Sequence, residues 1–92
     1  MLMTEPARHA THPDIVKRLK RANGHLLSVI EMIEGERPCN DIAQQLHAVE
    51  KAITQAKRTL IQDHIDHCLD EAVAGIGHTS GVADFKAITK YL

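Results

Sequence analysis

The sequence predicts an all-α fold of three helices, and three observations carry the prediction. Apolar residues recur at alternating steps of four and three over two long stretches, and prolines stand at the starts of those stretches. No segment shows the alternation of a strand. Composition agrees: 43% of the 92 residues are hydrophobic but only 2% are aromatic, which suits a thin, aliphatic core packed helix on helix. The length allows one domain, and chains this short often need a partner subunit, a metal or disulfides.

The first helix begins at Thr11-His12-Pro13-Asp14, where Pro13 fits the first turn and Asp14 complements the dipole. Ile15, Leu19, Ala22, Leu26, Val29 and Ile33 form its stripe, and Gly35 is a natural stop, which bounds the helix at roughly 13–34. Pro38 opens the second helix, and neither Pro nor Gly recurs until Gly75. Its stripe is Ile42, Leu46, Val49, Ile53, Ala56 and Leu60, the pattern of a bundle seam. About 36 residues give a helix of roughly 54 Å, far longer than the first, so something else must cover its far half. Gly75, Gly77 and Gly81 mark a loop. A short third helix follows from Ser80 or Gly81, with Val82, Phe85, Ile88 and Leu92 inward. Residues 1–12 read as a flexible N-terminal arm and 13–92 as one helical domain.

The N-terminus carries no apolar run and no membrane span follows, so a cytoplasmic protein with reduced thiols is expected. Net charge is −1, yet its distribution is uneven. Five basic residues face one acid between Arg8 and Arg21, whereas Asp63 to Glu71 holds four acids and no Lys or Arg.

Metal-capable side chains concentrate in IQDHIDHCLD, residues 61–70. His64 and Cys68 are four apart and share a helix face. At about 100° per residue, both fall on one shoulder of the seam, and Cys39 falls on the same shoulder. Yet Cys39 and His64 are 25 residues apart, roughly 37 Å along a straight helix. They meet only if two copies of the helix pack antiparallel about a two-fold axis near Ala52 and Ile53. The same pairing covers the overlong seam, and a symmetric dimer with two equivalent intersubunit sites follows. His67 points nearer the seam centre and reads as packing or as a residue behind the ligands. His25 and His47 have no ligand partner at useful spacing and read as structural or exposed.

Cys39, His64 and Cys68, flanked by RLKRANGH (18–25), IAQQLHAVEKA (42–52) and LIQDHIDHCL (60–69), resemble the CsoR/RcnR family of bacterial repressors over roughly residues 13–92. The resemblance implies an antiparallel dimeric four-helix bundle, usually paired into a disc-shaped homotetramer. It also implies operator binding by the metal-free protein and release on binding an inducer. The inducer-site thiol maps to Cys39, and the two partner-chain ligands map to His64 and Cys68. Copper sensors of the family carry this Cys-His-Cys set, with an acidic residue behind the ligands to which Asp84 corresponds. They also typically have a tyrosine where this chain has Pro38. Nickel and cobalt sensors add N-terminal histidine ligation, for which His9 and His12 are candidates. The formaldehyde-responsive branch relies on an N-terminal proline, where this chain has Leu2, and usually lacks the second cysteine. The persulfide-responsive branch lacks the histidine between its cysteines. Two thiolates and one imidazole suit Cu(I), while additional nitrogen ligands suit Ni(II) or Co(II), so Cu(I) is the expected metal and Ni(II) or Co(II) the alternative.

No helix-turn-helix signature is present, so contact with operator double-stranded DNA must come from a surface. Lys17, Arg18, Lys20 and Arg21 on the first helix and Lys51 and Arg58 on the second supply a basic patch able to contact phosphates. A metal carrier or small metalloenzyme is the competing class. Catalysis would need an open metal position with an acid or base beside it, and Asp63 and Asp66 lie on other helix faces. No enzymatic activity is expected.

Overall fold

A computed structural model describes residues 11–74 and 78–92. Its elements are α1 (His12–Glu34), α2 (Cys39–Ala74) and α3 (His78–Ile88), followed by a 3-10 turn at Thr89–Tyr91. No strand occurs among the described residues. None of the described helices is long and apolar enough to cross a membrane.

The described residues divide into two compact units, one of Pro13–Lys57 and the other of Arg58–Leu92 with Thr11 and His12. In the first unit, α1 and the first half of α2 run antiparallel. His25 bonds Gln45, while Arg18 and Ala22 share a cleft with Lys51, Ala52 and Gln55. Numbers rise along one helix as they fall along the other.

The seam of this hairpin is split in two. Ile15, Ala22 and Val29, each seven apart, are buried on α1; Val49 and Ala56 are buried on α2. The intervening seam residues are not. Leu19, Ile33, Leu46 and Ile53 are between 43% and 56% exposed. One heptad position thus closes the hairpin while the other faces outward. Part of that outward face is an open groove of about 550 Å³, whose apolar lining includes Leu26, Leu46 and Ile53.

In the second unit the buried residues of α2 are Ile61 and Cys68. Extending the seam in a straight register places Cys68 on a shoulder; the chain instead buries it at 5% exposure.

The α1–α2 turn closes as a Schellman motif. Arg37 N–H donates to the Met32 carbonyl at 3.0 Å and Glu36 N–H to that of Ile33 at 3.1 Å. The left-handed position is Glu36, with φ 56°, and not Gly35. A Cβ on Gly35 would stand 3.2 Å from the Glu31 carbonyl oxygen, so glycine serves there by its small size. At the other end of α1, the Thr11 hydroxyl is buried without a hydrogen-bond partner.

Helix α2 runs from the residue after Pro38 to the residue before Gly75, as its sequence predicts. α3 differs from expectation. It starts at His78, so Gly81 lies inside the helix, while Gly75 and Gly77 lie outside the described residues. Phe85 and Ile88 are half-buried, but Val82 and Leu92 are exposed rather than inward.

Candidate functional site

Three sulfur and imidazole donors lie on α2. Cys39 is its first residue and an exposed free thiol, His64 is half-buried, and Cys68 is buried one turn further on. Along α2, 25 residues separate Cys39, in the first unit, from His64, in the second. Among the described residues no three His, Cys, Asp or Glu side chains come together to hold a metal.

In the first unit, Cys39 falls within about 40° of Leu46 and Ile53, the outward-facing half of the seam. In the second, His64 and Cys68 are four apart and share a face of the helix. Two thiols and one imidazole form a soft, nitrogen-poor set that suits Cu(I).

The remaining candidates are dispersed. His12 is the first residue of α1, and its Nε2 lies 3.7 Å from Asp63 Oδ2, beside the donor His64 in sequence. His9 lies outside the described residues. His67 is half-buried on α2 and Asp84 is exposed on α3. Asp63, which the sequence presents as one of four acids between Asp63 and Glu71, lies beside the start of α1. No spacing rule relates residues 12 and 63, so only the fold reveals the contact.

Lys17, Arg18, Lys20, Arg21, Lys51 and Arg58 are all exposed. Arg18, Arg21 and Lys51 share one cleft with His25, whereas Lys17, Lys20 and Arg58 do not line it. Arg18 Nε donates to Asp14 Oδ2 at 2.8 Å. That hydrogen bond and the guanidinium charge hold the Asp14 carboxyl below its ordinary pKa. A lowered carboxylate pKa favours the fold above the unfolded value, and the contribution disappears as pH falls through the folded value, in the acid range. Both side chains are well exposed, so this is a small effect.

The metal-sensitive transcriptional repressor family matches residues 11–91. The chain belongs to that family. It is a family of repressors and not of enzymes. The chain is 32% identical over 80 residues to the copper-sensing transcriptional repressor CsoR of Bacillus subtilis, covering 83% of this chain and 79% of the relative. It is 38% identical over 58 residues to the CsoR of Mycobacterium ulcerans, covering 63% of this chain and 50% of the relative. The copper-sensing transcriptional repressor RicR of Mycobacterium tuberculosis is 36% identical over 58 residues, 63% of this chain and 60% of the relative. The chain therefore spans about half the length of the Mycobacterium ulcerans relative. No solved structure matches it.

Two features of this repressor-family chain escape the sequence pattern. His25 reads as structural or exposed with no ligand partner at useful spacing; which residue it meets is not legible, and it bonds Gln45 across the hairpin at 2.7 Å and lines the basic cleft. Gln55 lines the same cleft. The signal available in advance is antiparallel register: residues 25 and 45 lie at similar distances from the turn at Gly35.

Proposed function

We propose that the chain is a metal-sensing transcriptional repressor, bound to operator DNA when metal-free and released on binding Cu(I). The observation that carries the reading is the coincidence on α2. Cys39 is exposed on the side of the outward seam residues, His64 and Cys68 share a face one turn apart, and among the described residues no three donors come together. Cys39 of one protomer would complete a site with His64 and Cys68 of its partner in an antiparallel dimer, with pairing into a tetramer following the family. The copper-sensing relatives support Cu(I). As a DNA-binding repressor it would act in the cytoplasm.

The protein's part in the switch is linkage. A cross-subunit site fixes the relation of the two α2 helices, and the basic residues of α1 and α2 are carried on the same bundle. If the DNA-competent dimer and the metal-holding dimer differ in geometry, each ligand weakens the other by the same factor. His67 and Asp84 would orient the ligands from behind. Ni(II) or Co(II) is the second reading, favoured by His12, which stands beside the His64 segment through Asp63.

The decisive experiment measures release from a fragment of the gene's own promoter under anaerobic, buffered Cu(I), Ni(II) and Co(II). Release by Cu(I) at the lowest free concentration is expected. Release by Ni(II) or Co(II) alone would transfer the assignment, and failure to bind the duplex without metal would defeat the repressor reading.

A further inference from the structure

We propose that the cleft between α1 and α2 grips a single backbone phosphate of duplex DNA, with His25, fixed by Gln45, as the residue that positions its two walls. This rests on the DNA-binding reading above and deepens it from a patch to a built subsite.

The cleft holds about 410 Å³, and Arg18 and Arg21 of α1 and Lys51 of α2 line it. Ala22 and Ala52 lie between them, small enough to leave room, and no carboxylate lines the cleft. Like charges brought into one concavity repel each other, and an anion there turns that repulsion into attraction. Arg18 is already shared with Asp14. Among the described residues, Arg21 and Lys51 have no carboxylate at ion-pair distance. A guanidinium and an ammonium on residues that line one cleft match the several acceptor oxygens of a phosphate. No aromatic side chain lines the cleft, so it offers no platform for a base.

The walls belong to different helices, so the spacing of Arg21 and Lys51 is set by how α1 and α2 are held together. His25 stands one turn beyond Arg21, and its Nε2–H donates to Gln45 Oε1 at 2.7 Å across the hairpin. The carbonyl oxygen of Gln45 can only accept, which fixes the proton on Nε2 and orients the ring. Loss of either partner leaves the cations in place but frees the cleft to widen.

The test uses full-length, metal-free protein and a fluorescent random-sequence duplex, with affinity measured over a series of salt concentrations. Each phosphate contact contributes about 0.9 to the slope of log affinity against log salt. Arg21→Ala and Lys51→Ala should each flatten the slope by about one unit or less for each protomer on the duplex. The double variant should flatten it by no more than the larger single loss, because both serve one phosphate in each protomer. A double-variant loss equal to the sum of the two single losses would mean two separate phosphates and would overturn the proposal. Unchanged binding in these variants, with weaker binding in Lys17→Ala or Lys20→Ala, would sink the cleft and leave the DNA reading standing. Absence of salt-dependent duplex binding in the unaltered protein would remove both.

For the positioning role, His25→Ala and Gln45→Ala should weaken duplex binding by about 2–10-fold, the equivalent of one hydrogen bond. His25→Gln retains an N–H donor for Gln45 and should restore affinity. Failure of that rescue, with circular dichroism and melting unchanged, would overturn the role of His25. Calorimetry with inorganic phosphate separates the remaining source: no saturable binding is expected. Saturable phosphate binding that Lys51→Ala removes, without any change in duplex affinity, would make the cleft a free-phosphate site instead.

Discussion

The two segments of α2 are built alike in sequence and differently in space. Up to Lys57 the helix buries every seventh residue of its seam and leaves the alternate residues outward; beyond it, the buried residues are Ile61 and Cys68. The first segment opens with Cys39, an exposed thiol, and carries Lys51 beside the α1 cations. The second carries His64 and Cys68, with the sulfur of the latter enclosed. Helix α2 thus has one donor in water in its first segment and two donors partly withdrawn from it in its second. An exposed thiol is free to meet a second chain, while a buried one is already held where it will act. The contrast supports a site that closes between chains rather than inside one.

The largest expected effect comes from removing the exposed donor. Cys39→Ala should weaken metal binding by more than the roughly 10–100-fold that loss of an outer partner costs, while duplex binding stays near normal. Competition with a calibrated Cu(I) chelator and a gel shift measure the two separately. Co-refolding Cys39→Ala chains with His64→Ala/Cys68→Ala chains sharpens the comparison. The mixed dimer holds one complete site, so about half of the sites in that species should recover. No recovery, with mixed dimers shown to form by mass, defeats the intersubunit arrangement.

The next contrast is between the two halves of the seam. Val49→Ala removes a fully buried side chain and should destabilise the hairpin by about 2 kcal/mol, independent of protein concentration. Ile53→Ala truncates a residue that is 45% exposed in one chain. Its effect should appear as weaker self-association and a melting temperature that depends on concentration. Analytical ultracentrifugation beside thermal melts distinguishes them. Equal, concentration-independent losses would mean that the outward half faces nothing.

Much of this was legible in advance, and the illegible part has a physical cause. Pro38 and Gly75 bracketed α2 because one starts helices and the other ends them. Cys39, His64 and Cys68 were visible as soft donors at helical phase. The seam pattern, however, states only that two sets of residues must be covered. It does not say which set the chain covers itself, and Ile42, Leu46, Val49 and Ile53 read as one stripe. Nor could it show that Cys68 is buried, because that depends on what covers the helix end. His25–Gln45 and His12–Asp63 are contacts between distant positions that carry no local signature.

The start of α1 decides a finer point. Deleting residues 1–11 and replacing His12 should leave Cu(I) release nearly unchanged, because two thiolates and one imidazole satisfy that ion. The same change should weaken a Ni(II) or Co(II) response by about 10-fold or more, since those ions call for further nitrogen ligands. The cations from Lys17 to Arg21 remain, so duplex affinity serves as the internal control. Loss of Cu(I) release with duplex binding intact, where the full-length chain responds to Ni(II) or Co(II), would move the assignment to those metals.

The smallest expected effect lies in the turn between α1 and α2, far from any donor except Cys39. Glu36 occupies the left-handed position of the Schellman motif, where a side chain crowds the following carbonyl. That conformation costs about 1–2 kcal/mol for an ordinary residue and nothing comparable for glycine. Glycine loses about 0.5–1 kcal/mol more backbone freedom on folding, so Glu36→Gly should gain roughly 0.5–1 kcal/mol net. Gly35→Ala should do the reverse, because its methyl group meets the Glu31 carbonyl oxygen at 3.2 Å. Chemical denaturation at two protein concentrations reads both changes. If the turn matters only to the hairpin, the gain from Glu36→Gly is the same at both and Cu(I) affinity is unaltered. A change in Cu(I) affinity would show that the turn also fixes where Cys39 is presented, since only two residues separate Glu36 from that thiol.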